Sequence, residues 1–216
     1  MSFRMIATLG AIGAGQWGMV TTQQAGEAGV PRSALARLAA AGAIERLAQG
    51  VYRMAGAPSA HEPAIDMIRV HWLALGGAAR TVVAAGKSAA ALHGIGDWFP
   101  SDSDFVTPER RTTRLPHVQL RIRRLESVDV TGVHGLPTMT VERTVADLVE
   151  SWEDLSLVAD AVEHAMHRGV LLWPKRLAEL LEPLARRNQM ESGVAFADRL
   201  LLEAGADASW RARLRG

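Results

Sequence analysis

The chain has 216 residues, 48% of them hydrophobic, a net charge of +1 and no cysteine. That length holds one large or two small domains, and that hydrophobic share excludes a disordered chain. The absence of cysteine excludes disulfides and thiolate zinc sites and fits a reducing cytoplasm, while no apolar run approaches the roughly 20 residues of a membrane span.

The first residues, MSFRMIATLGAIGAG, look superficially like a signal peptide. Their apolar run is broken by Thr8, Gly10 and Gly13 and has only Arg4 before it, so residues 3–12 are read as a helix instead. Residues 13–18 read as a loop and 19–21 as a short strand, with Thr22 capping the next helix.

Residues 23–54, QQAGEAGVPRSALARLAAAGAIERLAQGVYRM, read as a winged helix-turn-helix. Residues 23–28 form a short helix, Gly29-Val30-Pro31 the turn, residues 32–41 the second helix and residues 44–54 a hairpin wing. Pro31 suits a first helical turn, where its missing N–H costs nothing. Leu35, Leu38 and Ala39 share one helical stripe, and Arg32, Ser33, Ala36, Arg37 and Ala40 fall opposite. An apolar back with a small, basic front is what a helix needs to enter the major groove. Val51 and Tyr52 favour strand, and Gly50 suits the hairpin turn. Arg46, Gln49 and Arg53 lie on or beside the tip, placed for backbone phosphates. Residues 1–58 carry five arginines against Glu27 and Glu45, net +3, while the remainder is net −2. Basic charge is thus concentrated in residues 1–58, the footprint expected of a DNA-binding domain. A winged helix that docks protein is the alternative reading of the same pattern.

After Met54, AGAPSA reads as a linker, and the boundary is placed near Pro58. Residues 59–216 read as an α+β domain. Residues 64–75 have helical spacing, 81–84 strand character, and 88–93 form a short helix ended by Gly94. Residues 104–107 and 118–122 alternate as strands, and 128–133 and 137–139 add more. From Thr140 onward four helical segments follow, punctuated by Gly169, Pro174, Pro183 and Gly205. The expected fold class is α+β and mainly helical: a winged helix, then a small sheet with C-terminal helices.

Residue patterns that could carry chemistry are few. AAGKS at residues 84–88 has the end of a P-loop, but Thr81 stands where the first glycine belongs, so it reads as a helix start. Asp160, His164 and His167 share a helical face without a fourth ligand and read as a solvated face rather than a metal site. His61-Glu62 has no second histidine and reads as a helix start. Arg143 and Asp147 have the spacing of a supporting ion pair. Arg110, Arg111, Arg114, Arg121, Arg123 and Arg124 form a dense cluster. It is either a strand edge kept soluble by charge or a second anionic contact surface. No catalytic residue, metal or cofactor is assigned.

Three blocks together resemble a family. AGEAGVPRSALARLAAAGAIERLAQGVYRMAG, KSAAALHGIGDW and LPTMTVERTVADLVE are similar to the winged helix, the His-Gly-ended helix and the Arg-Thr-x-x-Asp-Leu helix start of AbiEi-type antitoxins of bacterial toxin–antitoxin systems. The blocks span about residues 19–150; beyond them the likeness is general. The resemblance implies an N-terminal domain that binds inverted repeats of double-stranded DNA upstream of its own operon. It implies a C-terminal domain that counters a cognate nucleotidyltransferase-like toxin, with no catalytic centre or cofactor. It places DNA contact on Arg32, Ser33, Arg37, Arg46, Gln49 and Arg53, with two copies on repeated half-sites. The expectation is a cytoplasmic autorepressor and antitoxin. The alternative is a winged-helix transcription factor without a toxin, whose C-terminal domain senses a small molecule.

Overall fold

The computed structural model describes residues 2–98 and 101–215. The chain forms two compact units: one runs to Arg80 and takes in Arg114–Pro116, the other comprises Thr81–Thr113 and the chain from His117. The fold is α+β and mainly helical, with a three-stranded and a five-stranded sheet among the described residues.

The first unit comprises α1 (Ser2–Ala14), β1 (Met19–Thr21), α2 (Thr22–Glu27), α3 (Arg32–Ala40), β2 (Ile44–Ala48), β3 (Val51–Met54) and α4 (Pro63–Ala74). Its sheet is antiparallel in the order β1-β3-β2, pairing Met19 with Arg53 and Ile44 with Met54. The core gathers Leu9 of α1, Val20, Ala25, Leu35, Leu38 and Ile44, so α1 packs behind the helix-turn-helix. Helix α2 is capped by Thr21, one residue earlier than expected. The Thr21 hydroxyl accepts from Gln24 N at 3.2 Å, and Gln24 Oε1 accepts from Thr21 N at 2.9 Å. This reciprocal box satisfies two amides that a helix start leaves bare. The next threonine, Thr22, instead turns its hydroxyl to the Gly50 carbonyl of the wing.

Helix α4 begins at Pro63 with Glu62 as its cap residue, and it buries Ile65, Ile68 and Trp72. It packs against β2 and β3. By packing, the first unit therefore extends past the linker of residues 55–60 to Arg80.

The second unit comprises β4 (Val83–Ala84), α5 (Gly86–His93), β5 (Ser103–Thr107), β6 (Val118–Ile122), β7 (Val130–Val133), β8 (Leu136–Met139), α6 (Val141–Glu150), α7 (Leu155–His167), α8 (Pro174–Leu181), α9 (Gly193–Glu203) and α10 (Ala208–Arg215). Its mixed sheet runs β6-β5-β4-β8-β7. The pairs β5–β6 and β4–β8 are parallel, and β4–β5 and β7–β8 antiparallel. Val83, Ala85, Ala89, Val106 and Met139 join the sheet to α5, while Val145, Leu148, Val162, Leu177, Phe196 and Leu200 form the larger helical core.

Three elements differ from expectation. The strand read over residues 81–84 shrinks to Val83–Ala84. The strand read over 128–133 opens as a 3₁₀ turn at Ser127–Asp129, with Asp129 buried and ion-paired to Arg176 at 2.9 Å. Helix α10 was not expected, its segment being largely polar. It starts where Asp207 Oδ1 accepts from Ser209 N and Trp210 N at 2.8 and 3.2 Å. No helix of the described residues is long and apolar enough to cross a membrane.

Candidate nucleic-acid interface

Helix α3 has two faces. Ala34, Leu35 and Leu38 are buried in the first unit's core, and Arg32, Ser33, Ala36, Arg37 and Ala40 are exposed. Pro31 is the cap residue rather than part of the first turn, and it provides no side-chain cap. The leading amides of α3 are thereby left to water or to an anion. In the wing, β2 and β3 meet at Gln49-Gly50, and the register shifts between Arg46 and Ala48. Arg46 and Gln49 are both exposed.

Charge pairing separates these arginines from others in the chain. Arg32, Arg37 and Arg46 have no ion pair or side-chain hydrogen bond among the described residues. An exposed guanidinium without an internal partner keeps all its donors for a ligand. Arg53 departs from the expected tip position. It lies on β3 with its side chain 11% exposed and ion-paired through Nη2 to Asp66 of α4. Asp66 also accepts from Ala60 N at 3.4 Å. Arg53 thus ties α4 to the wing sheet. The pairing crosses a linker, and no local spacing announced it.

The cluster between residues 110 and 124 also divides. Arg121 of β6 places Nη2 2.6 Å from Asp147 Oδ2 and 3.0 Å from Asp104 Oδ2. Arg123 grips Glu150 with contacts of 2.8 and 2.6 Å, and Arg143 reaches Glu150 at 3.1 Å. Asp147 is fully buried and also accepts from Gly86 N at 3.1 Å. Burial pulls the Arg121 pKa down, but Asp147 and Asp104 outweigh it and the net shift is upward. Burial pushes the Asp104 carboxyl up, with Arg121 opposing, and the hydrogen bond from Arg123 holds Glu150 below its usual range. Burial lowers Arg143, with the charge of Arg123 adding to the effect. Arg121 and Arg123 therefore bind β6 to α6 inside the unit. Arg111 is half-buried, 3.9 Å from Glu109, while Arg110, Arg114 and Arg124 are exposed. The six do not form one open basic surface. Strand alternation aims residues 121 and 123 at the carboxylates of α6.

The GKS segment opens α5. Gly86 has φ +47°, and a Cβ there would lie 2.2 Å from Asp104 Oδ2, so glycine gives the close approach to that carboxylate. Lys87 pairs with Glu153 at 2.9 Å, and Ser88 Oγ accepts from Asp104 N at 2.8 Å. These side chains are spent on the fold. His164 Nδ1 accepts from Gly96 N at 3.1 Å, and exposed His167 stands 4.0 Å from Glu163. Asp160 lines a separate hollow beside Arg199. Among the described residues no group of three metal-ligating side chains converges. His93 Nε2 lies 2.7 Å from the Met139 carbonyl. A carbonyl only accepts, so Nε2 carries the proton.

Sequence reading missed the contacts that organise the second unit. Gly86 and Asp147 meet across 61 residues. The only local sign was the Arg143–Asp147 spacing, and the stronger partner of Asp147 is Arg121.

A search of curated proteins finds no match. The crystal structure of the RV2827C protein from Mycobacterium tuberculosis is similar in fold, with a TM-score of 0.57 and 19% identity over 98% of this chain and 81% of that one. The family model described as "Transcriptional regulator, AbiEi antitoxin" matches residues 14–55, from the end of α1 through both helices and the wing. That matched segment, similar to the family, is the one in which α3 presents its exposed basic face.

Proposed function

We propose that this chain binds double-stranded DNA upstream of its own operon, represses it, and serves as the antitoxin opposing a nucleotidyltransferase-like toxin. The observation that carries the DNA part is the set of unpaired, exposed arginines Arg32, Arg37 and Arg46 within the segment that the family model matches. In this reading α3 enters the major groove, where Ala36 and Ala40 let the backbone approach and Ser33 and Arg37 meet base edges or phosphates. Arg46 and Gln49 of the wing hold the adjoining backbone. Two copies on inverted half-sites match a repeated operator. The second unit, from Thr81 onward, carries the antitoxin role, and the reading needs neither a catalytic centre nor a cofactor.

A mobility-shift titration against the chain's own upstream DNA tests it. Arg37→Ala weakens binding and Arg37→Glu abolishes it by repelling phosphate. Unchanged binding by either variant refutes the placement of α3. Co-expression with a neighbouring nucleotidyltransferase gene tests the antitoxin role: growth is restored by this chain if the reading holds and stays arrested if it does not.

A further inference from the structure

The second unit holds a hollow of about 500 Å³ between the β7–β8 hairpin, the start of α6 and the segment after α7. That volume lies in the range of roughly 300–1,000 Å³ typical of small-molecule sites. Its walls are mainly apolar: Val128, Val130, Val133, Val141, Leu172 and Trp173 all contribute. Val128, Leu172 and Trp173 are three of the nine large hydrophobic side chains that stand exposed among the described residues. Their gathering at one hollow is a patch rather than scatter, and exposed apolar patches mark binding surfaces.

The rim is held in place. Glu142, only 2% exposed, accepts from both Leu172 N and Trp173 N at 2.8 Å. A buried carboxylate is thus committed to fixing the segment that presents Leu172 and Trp173. A rim fixed before binding spares a ligand the cost of ordering it.

The charges select the ligand. Arg168 lines the hollow, is exposed, and has no ion pair or side-chain hydrogen bond among the described residues. Its guanidinium lies over Gly94, about 3.1 Å from where a Cβ on that residue would stand. Glu142 also lines the hollow, but Oε1 already accepts two amides and the residue is almost wholly enclosed. The open charge is therefore the cation, while the body of the site is hydrocarbon.

We propose that this hollow binds a small amphipathic monocarboxylate. Its apolar body lies against Val128, Val130, Leu172 and Trp173, and its carboxylate sits on Arg168, away from Glu142. The proposal is independent of DNA binding.

Calorimetric titration of the full chain with sodium decanoate, below its micelle concentration and without DNA, tests this. Decan-1-ol and decylammonium serve as uncharged and cationic controls. Decanoate binds saturably with one site per chain and more tightly than either control. Arg168→Gln weakens decanoate at least about tenfold, as loss of a charge-assisted contact requires, and leaves decanol within about twofold. Val128→Glu, at a side chain already 43% exposed, puts like charge at the mouth and also weakens decanoate. Three results would overturn the proposal: no saturable decanoate binding, decanoate affinity unchanged in both variants, or decylammonium binding more tightly than decanoate.

Discussion

Arg37 on α3 and Arg121 on β6 stand in opposite surroundings within one chain. Arg37 is exposed on a helix whose other face is core, and no described side chain meets its charge. Arg121 is wedged between Asp104 and Asp147, and the second of these is fully buried. A guanidinium without a partner remains available to a ligand. One held by two carboxylates has its donors occupied, and removing either partner leaves the other's charge buried. The lesson is that basic residues in a sequence say little about binding until their partners are known. The denser arginine cluster, at residues 110–124, is the one that the fold uses internally for Arg121 and Arg123.

Removing the carboxylate at the centre of the second unit is the harshest way to test this contrast. Asp147→Ala leaves Arg121 without its closest partner and Gly86 N without its acceptor. The unit should lose on the order of 3 kcal/mol, since Arg121 retains partial access to water. Urea unfolding followed by circular dichroism measures the loss, and a change below about 1 kcal/mol would mean that the network is not central. Next comes Arg37→Ala, for which unfolding should be unchanged while affinity for the upstream DNA falls by about 1–3 kcal/mol. Equal effects on stability and DNA affinity would erase the distinction between the regions.

Arg53 sharpens the comparison from within the winged helix. It lies one strand from Arg46 yet is paired with Asp66. Arg53→Met should lower stability by about 1–2 kcal/mol and leave the salt dependence of DNA binding as it was. A reduced salt dependence would return Arg53 to the DNA-facing set. The smallest expected effect comes from His93. Burial holds its pKa below the usual 6.5. Below pH 6.5 the unfolded chain takes up a proton that the folded site resists, so stability declines as pH falls through that value. His93→Gln should remove this decline, as pH-dependent urea unfolding would reveal. A steeper decline in the variant would contradict the assigned direction.

Elements set by local pattern were legible. Strand β6 occupies residues 118–122 as its alternation required, and α3 keeps its apolar and basic faces as helical spacing required. Where contacts distant in sequence decide, reading from pattern stopped short. The two residues of β4 pair with β5 and β8, so its length follows from partners. The roles of Arg53 and Arg121 depend on acids 13 and 26 residues away. The winged helix was legible because its chemistry is contained in one short segment. The hollow around Trp173 was not, because its walls come from β7, α6 and the loop after α7.

On the proposed function, the free arginines of α3 and the wing bind the chain's own upstream DNA. This binding is tested most directly by titrating the full chain against that duplex and an unrelated one at two salt concentrations, with Arg46→Ala alongside. The account predicts tight binding to the upstream duplex alone, weakened by salt through counterion release, with a salt slope smaller by about one in Arg46→Ala. Equal, weak binding to both duplexes, with the same salt slope in the variant, would contradict it.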